Sequence, residues 1–246
     1  MKHLLRLAMI TAFLALPAGI AGAQMDFLKR GKDLLREVPG GQSTQQLSNA
    51  EIGAGLREAL KVGAQRVVGQ VGATDGFNGD PAIHIPLPES LQRVQSTLAR
   101  VGLSSMTDDL ELRLNRAAEA AAPEAQAVFW QAIDEMTWDD VREIFDGPDD
   151  AATRYLERTM SSPLATRMKP IVDANLAEVG AVRAYDQVMG RYKAVPFVPD
   201  VKADLTQHVL ERALQGLFHY LAQEEAAIRR DPAKQTTDLL KKVFGG

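Results

Sequence analysis

Cysteine is absent from the 246 residues, and that absence closes several routes at once. No disulfide can form, and no thiolate can ligate a metal or act as a nucleophile. A lipoprotein anchor, which needs a cysteine at the cleavage site, is excluded as well. Aromatic residues make up only 6% of the chain, so the core is to be built from Leu, Val and Ala. Recognisable catalytic signatures are also missing. There is no G-x-S-x-G elbow, no G-x-x-x-x-G-K-[ST] loop, no H-E-x-x-H and no G-x-G-x-x-G fingerprint. Carboxylate-only active sites leave no local signature, so an enzyme is not excluded. No repeat of 20–50 residues is found.

The amino-terminal segment carries an address. Lys2 and Arg6 give a positive start, and an apolar run extends over 4–16, broken only by Arg6 and Thr11. Pro17 and Gly19 break the helix, and Ala21-Gly22-Ala23 supplies the small-x-small pattern of a signal peptidase site. The pattern predicts a signal peptide over 1–23, cleaved before Gln24. The apolar run is too short to span a bilayer comfortably, and no stop-transfer segment follows. The mature protein is expected in the periplasm, soluble and not a lipoprotein. The formal charge is −4, and loss of Lys2 and Arg6 with the leader makes it more negative. An acidic chain has no general attraction for nucleic acid, so none is expected as a partner.

Residues 24–46 read as an amphipathic arm and linker. Phe27, Leu28, Gly31, Leu34, Leu35 and Val38 follow helical spacing, with Lys29, Arg30, Lys32 and Arg36 largely opposite. The 25–38 helix either docks on the body or contacts an anionic membrane surface or a partner. Pro39-Gly40-Gly41 ends it. The body, 47–246, opens on a capping box, Ser48 with Glu51, ahead of a helix over 49–71. Gly53, Gly55, Gly63 and Gly69 in that helix predict close helix–helix approach. Further helices are predicted over 89–101, 107–122, 124–135, 138–145, 149–160, 163–179, 182–191, 204–230 and 236–244. Glycines stand at their ends and Pro123, Pro148 and Pro163 at their starts. Thr137 with Asp140 is a predicted cap. The stripe Leu205, Val209, Ala213, Leu217, Leu221 and Ile228 marks a central bundle helix. Residues 73–88, with alternating Ile83, Ile85 and Leu87, and 195–199 are predicted as two extended Pro-rich straps. The fold class is therefore all-α, a single-domain helical bundle with two straps.

Four runs, PAIHIPLPESL (81–91), LNRAAEAAAPEA (114–125), AYDQVMGRY (184–192) and AIRRDPAKQTTDLLKKVFG (227–245), resemble the DUF4197 family of exported bacterial proteins, a domain of unknown function. The likeness runs from about residue 47 to the C-terminus. It implies a helical protein of the cell envelope of a Gram-negative bacterium. It brings no activity, cofactor or catalytic residue.

The residues offer two candidate binding surfaces. Glu111, Asn115 and Glu119 recur every four residues, with Arg116 adjacent, and stack along one helix face. That face reads as a polar groove for a cation or an acid/base pair, as a solvated face, or as a buried network fixing helix register. Arg183, Tyr185, Arg191 and Tyr192 cluster ahead of Phe197. They read as a binding hot spot or as tyrosines packed at a bundle end. The loop D-G-F-N-G-D (75–80) is oxygen-rich but fails the calcium-loop spacing at Phe77, Gly79 and Pro86. His84, His208 and His219 lack ligand spacing, so neither metal nor cofactor is expected. Glu224, Glu225, Arg229 and Arg230 read as a salt-bridged exposed helix. Leu239, Leu240, Val243 and Phe244 either dock or offer a partner-binding helix. The leading expectation is a non-enzymatic binding protein for a partner protein or a hydrophobic small molecule. A carboxylate hydrolase acting through Glu111 and Glu119, or peripheral membrane association, are the alternatives.

Overall fold

Apolar residues at three- and four-residue spacing bury one stripe of every long helix, and those stripes meet in one core. The computed structural model describes residues 48–178, 183, 186, 187, 190 and 201–244, without the side chains of 201–204, 232, 239, 240 and 242. The regular structure among these residues is helical, with no strand. In order come α1 (Asn49–Val71), α2 (Glu89–Arg100), α3 (Ser104–Ala121), α4 (Glu124–Glu135), α5 (Trp138–Phe145), α6 (Ala151–Glu178) and α7 (Val201–Arg230). A 3-10 turn, Pro232–Lys234, precedes α8 (Asp238–Phe244). The described residues belong to one compact unit that begins at Leu47. No helix among them is long and apolar enough to cross a membrane.

α6 and α7 pack on each other and form the axis. α3, α4 and α5 pack on α6, while α1 and α3 pack on α7. The core is aliphatic, with Leu114, Ala117, Ala118, Leu164, Met168, Val172, Val209, Ala213 and Leu217 fully buried. Phe129 and Phe218 meet edge to face, centroids 6.1 Å apart. Alanines on the α3 and α4 faces let backbones approach, which suits a chain poor in large aromatics.

The helix ends follow their sequence signals. Ser48 and Thr137 close capping boxes with Glu51 and Asp140. Gly102, at φ +75, ends α2: its N–H bonds Ala99 and the Leu103 N–H bonds Leu98, the paired bonds of a Schellman motif. Two expectations need correction. Residues 149–160 and 163–179 are not separate helices; α6 runs unbroken with Pro163 and Pro170 inside it. Each proline removes one N–H donor from the ladder, but Leu156, Leu164, Met168, Val172 and Leu176 keep one buried stripe through both. Tertiary burial overrides the local break. Of the α1 glycines, Gly53 faces Trp138 and Val141 of α5 and Gly63 faces Glu224 and Ile228 of α7, but Gly69 has open space.

The terminal helix is docked. α8 packs on α1, Val243 is buried, and the Phe244 ring lies 6.3 Å from that of Phe145.

Candidate functional site: the loop clasped by the third helix

The 73–88 connection has no helix or sheet to satisfy its backbone, yet Phe77, Ile83, Ile85 and Leu87 are buried in the core. Buried amides must find partners: turn bonds within the connection serve some, Ile83 to the Asp80 carbonyl among them, and α3 serves Phe77, Ile85 and Leu87. Asn115 brackets Ile85: its Oδ1 accepts from the Ile85 N–H at 2.9 Å and its Nδ2 donates to the Ile85 carbonyl at 2.9 Å. Glu111 Oε2 accepts from the Leu87 N–H at 3.2 Å. Glu119 Oε1 accepts from the N–H groups of Phe77 and Asn78 at 3.2 and 3.1 Å. Residue order along the connection rises as order along the helix falls, so the two run antiparallel. A four-residue helical step is about 6 Å, and two residues of extended chain span about 6.6 Å. Ile85 and Leu87 therefore meet Asn115 and Glu111 in register.

The remaining polar atoms of this face are also engaged. Arg116 donates to Glu119 Oε2 at 2.6 Å and to Asp75 Oδ1 at 2.7 Å. Asn78 and then Arg116 hold the Asp75 carboxyl below the usual carboxylate range, and Glu119 first and Asp75 after it raise the Arg116 pKa. His84 Nε2 lies 2.8 Å from Glu111 Oε1 and its Nδ1 donates to the Asn78 carbonyl at 3.1 Å. From the opposite side His208 Nε2 donates to the Pro86 carbonyl at 2.8 Å. The Tyr220 hydroxyl donates to Asp80, whose other oxygen accepts from the Ala82 N–H at 2.9 Å. The Tyr220 bond, then the Ala82 bond, lowers the Asp80 pKa; the same bond to Asp80 is the first cause of a raised Tyr220 pKa.

Of the three sequence readings of Glu111, Asn115 and Glu119, the buried network describes the geometry. Asn115 is fully buried and Glu119 is 5% exposed, so the solvated face is corrected. Burying charge and amide is affordable because each partner is present. In the Asp-Gly turn Asp75, at φ +64, accepts at its Oδ1 from the Asn78 side-chain amide and from Arg116. Among the described residues no group of three or more His, Asp or Glu could hold a metal ion. Arg183 is helical and exposed. Tyr185, Arg191, Tyr192, the 195–199 segment and the 25–38 arm lie outside the described residues.

Glu225 and Arg229 also depart from expectation. They are not on an exposed face; their side chains are 6% and 12% exposed and paired at 3.0 Å. Glu225 accepts from the N–H groups of Ala152 and Thr153 and from the Thr153 hydroxyl, at the start of α6. Arg229 donates to the Ile144 carbonyl at 2.8 Å, at the end of α5. An anion at a helix start and a cation at a helix end both complement the helix dipole. Glu224 pairs instead with Arg66 and Lys234.

The profile of DUF4197, described as a protein of unknown function, matches residues 46–245. The chain belongs to the DUF4197 family. That match takes in the clasped connection, the α3 face and the Glu225–Arg229 pair. No curated protein and no solved structure matches the chain. Within this DUF4197 body, sequence reasoning missed Tyr220 and weighed Asp80 and His84 only as metal-ligand candidates, whereas these three tie the connection to α3 and α7. Residues 73–83 are mostly turns rather than the extended strap expected, and the signal was the Ile83/Ile85/Leu87 alternation: buried apolar residues outside any helix need polar partners on their flanks.

Proposed function

We propose that this DUF4197 protein is an exported, periplasmic, non-enzymatic interaction protein that binds a partner protein. One observation carries the reading. Both tryptophans of the chain, Trp130 and Trp138, are 38% exposed while the core is aliphatic. Both lean on α1: Lys61 lies 6.0 Å over the Trp130 ring, and Trp138 flanks Gly53. Tryptophan is the residue most enriched at binding hot spots.

Two further features support it. The carboxylates of Glu111 and Glu119, the best acid/base candidates, are spent on the protein's own backbone, which weakens the hydrolase alternative. The apolar space between α1, α6, α7 and Phe244, lined by Leu56, Leu60, Leu156 and Leu221, has room of about 20 Å³. That is one water's worth, against hundreds of Å³ for small-molecule sites, so this space takes no hydrophobic ligand; the groove of about 770 Å³ along α4 and α6, at Val128, Pro163 and Ile171, is the place left for one. The leader pattern over 1–23 supports the periplasmic address.

Native mass spectrometry of the mature protein, purified gently from its host's periplasm, tests this. A discrete protein complex that is lost in a Trp130→Ala/Trp138→Ala variant is expected. A bare monomer mass contradicts the reading, and an added mass of a few hundred daltons (on the scale of pocket-bound ligands) moves it to a small-molecule carrier.

A further inference from the structure

A polar space of about 190 Å³ opens between the clasped connection and α7. Ile83 and His84 form one side, and Arg212, Gln215, Gly216 and His219 the other. The spacing of three, four and seven residues from Arg212 puts all four on one face of α7. This volume is too small for a drug-sized ligand, whose pockets start near roughly 300 Å³, but it suits a small ion with its waters.

Arg212 is exposed, and among the described residues its hydrogen bond is to Gln215 Oε1 at 3.2 Å. Three and four residues to either side on its helix stand His208, Val209, Gln215 and Gly216, none of them acidic. Among the described residues it makes no ion pair. His219 Nε2 faces the Gln223 amide nitrogen at 2.7 Å; because an amide N–H only donates, that ring nitrogen accepts and the other carries the proton. The nearby carboxylates have other partners: Glu111 has His84, Leu87 and Gln95, and Asp80 has Tyr220 and Ala82, with His219 also within electrostatic reach of Asp80. His84 brings its imidazole to the wall with both nitrogens already engaged.

We infer that this pocket binds a phosphate-type oxyanion, with Arg212 as its anchor and Gln215 and His219 as flanking donors. Donors from three side chains suit the several oxygens of a tetrahedral oxyanion better than the two of a carboxylate. The inference stands apart from the partner-protein reading and from the tryptophans that carry it.

Titration of the mature protein with inorganic phosphate by NMR tests it, alongside sedimentation with phosphatidylcholine vesicles doped with phosphatidic acid. Saturable binding is expected, weakened about tenfold or more by Arg212→Gln or His219→Asn and unchanged by Arg100→Gln, a surface arginine at the end of α2. Both α7 side chains are exposed, so the variants are expected to keep wild-type circular dichroism. Arg212-dependent binding of phosphate assigns a free anion, and Arg212-dependent binding of the vesicles alone assigns a lipid headgroup. Binding of both probes that ignores Arg212→Gln, or no binding of either, overturns the site.

Discussion

Asn115 holds Ile85 by both of its backbone polar groups, at 2.9 Å each, so a side-chain amide on α3 stands where a neighbouring strand would stand. Replacement by alanine strands a buried N–H and a buried carbonyl together. Each costs about 1–3 kcal/mol unsatisfied, so Asn115→Ala is expected to lower stability by about 2–6 kcal/mol in urea unfolding. Asn115→Asp restores only the acceptor and is expected to remain well below wild type. Wild-type stability in both variants would show that the amide is not holding the connection.

The Glu225–Arg229 pair ties the end of α5 to the start of α6 through α7. Arg229→Met leaves the Glu225 carboxylate buried without its cation and the Ile144 carbonyl without its donor. Breaking a buried pair from one side costs about 3–5 kcal/mol, read as a matching loss in chemical unfolding. Glu225→Gln keeps an oxygen for the α6 amides and is expected to cost less than Arg229→Met. The opposite order contradicts the capping role.

The Asp80–Tyr220 bond sets two flanks of a pH profile. Asp80 titrates below its ordinary value when folded, so its contribution is present above about pH 4 and is lost as pH falls through the lowered value. Tyr220 titrates above its ordinary value. Its contribution is present below about pH 10 and is lost as pH rises through the raised value. Tyr220→Phe is expected to flatten stability against pH on both flanks. Unfolding midpoints that fall as steeply as in wild type on both sides would contradict it.

Two glycines on neighbouring helices are expected to respond with opposite sign. A Cβ at Gly216 would lie 2.7 Å from the Phe77 ring and 3.2 Å from Ile83, both buried, and overpacking of that kind costs about 1–3 kcal/mol. At Gly69 a Cβ meets nothing within 4 Å, so Gly69→Ala gains helix propensity of up to about 1 kcal/mol. Thermal melts of the two variants should move in opposite directions.

Local signals predicted the helical class well. The capping boxes at Ser48 and Thr137, the αL glycine at 102 and the α7 stripe are short-range patterns whose physics is contained within a turn or two. The continuity of α6 was hidden, because Pro163 and Pro170 are strong local breakers and only burial on the other helices outweighs them. Glu225 and Arg229 were misread for a related reason: their i,i+4 spacing is the same on a wet face and in a core. Glu111, Asn115 and Glu119 were visible as a face, but their partners are backbone groups 24–42 residues away. Backbone donors have no residue identity to read. What the sequence did carry was the geometric match, a four-residue polar repeat on one helix and a two-residue apolar repeat on the connection.

The polar face of α3 holds the 73–88 connection through Glu111, Asn115 and Glu119. Native-state amide hydrogen exchange on wild type and Asn115→Ala measures it most directly. The amides of Phe77, Asn78, Ile85 and Leu87 are expected to be strongly protected in wild type, close to the level of the α7 core. In Asn115→Ala, protection at Ile85 and Leu87 should fall first while α6 and α7 keep theirs. Fast exchange at these four amides in the wild-type protein would contradict the clasp and return Glu111 and Glu119 to consideration as free catalytic carboxylates.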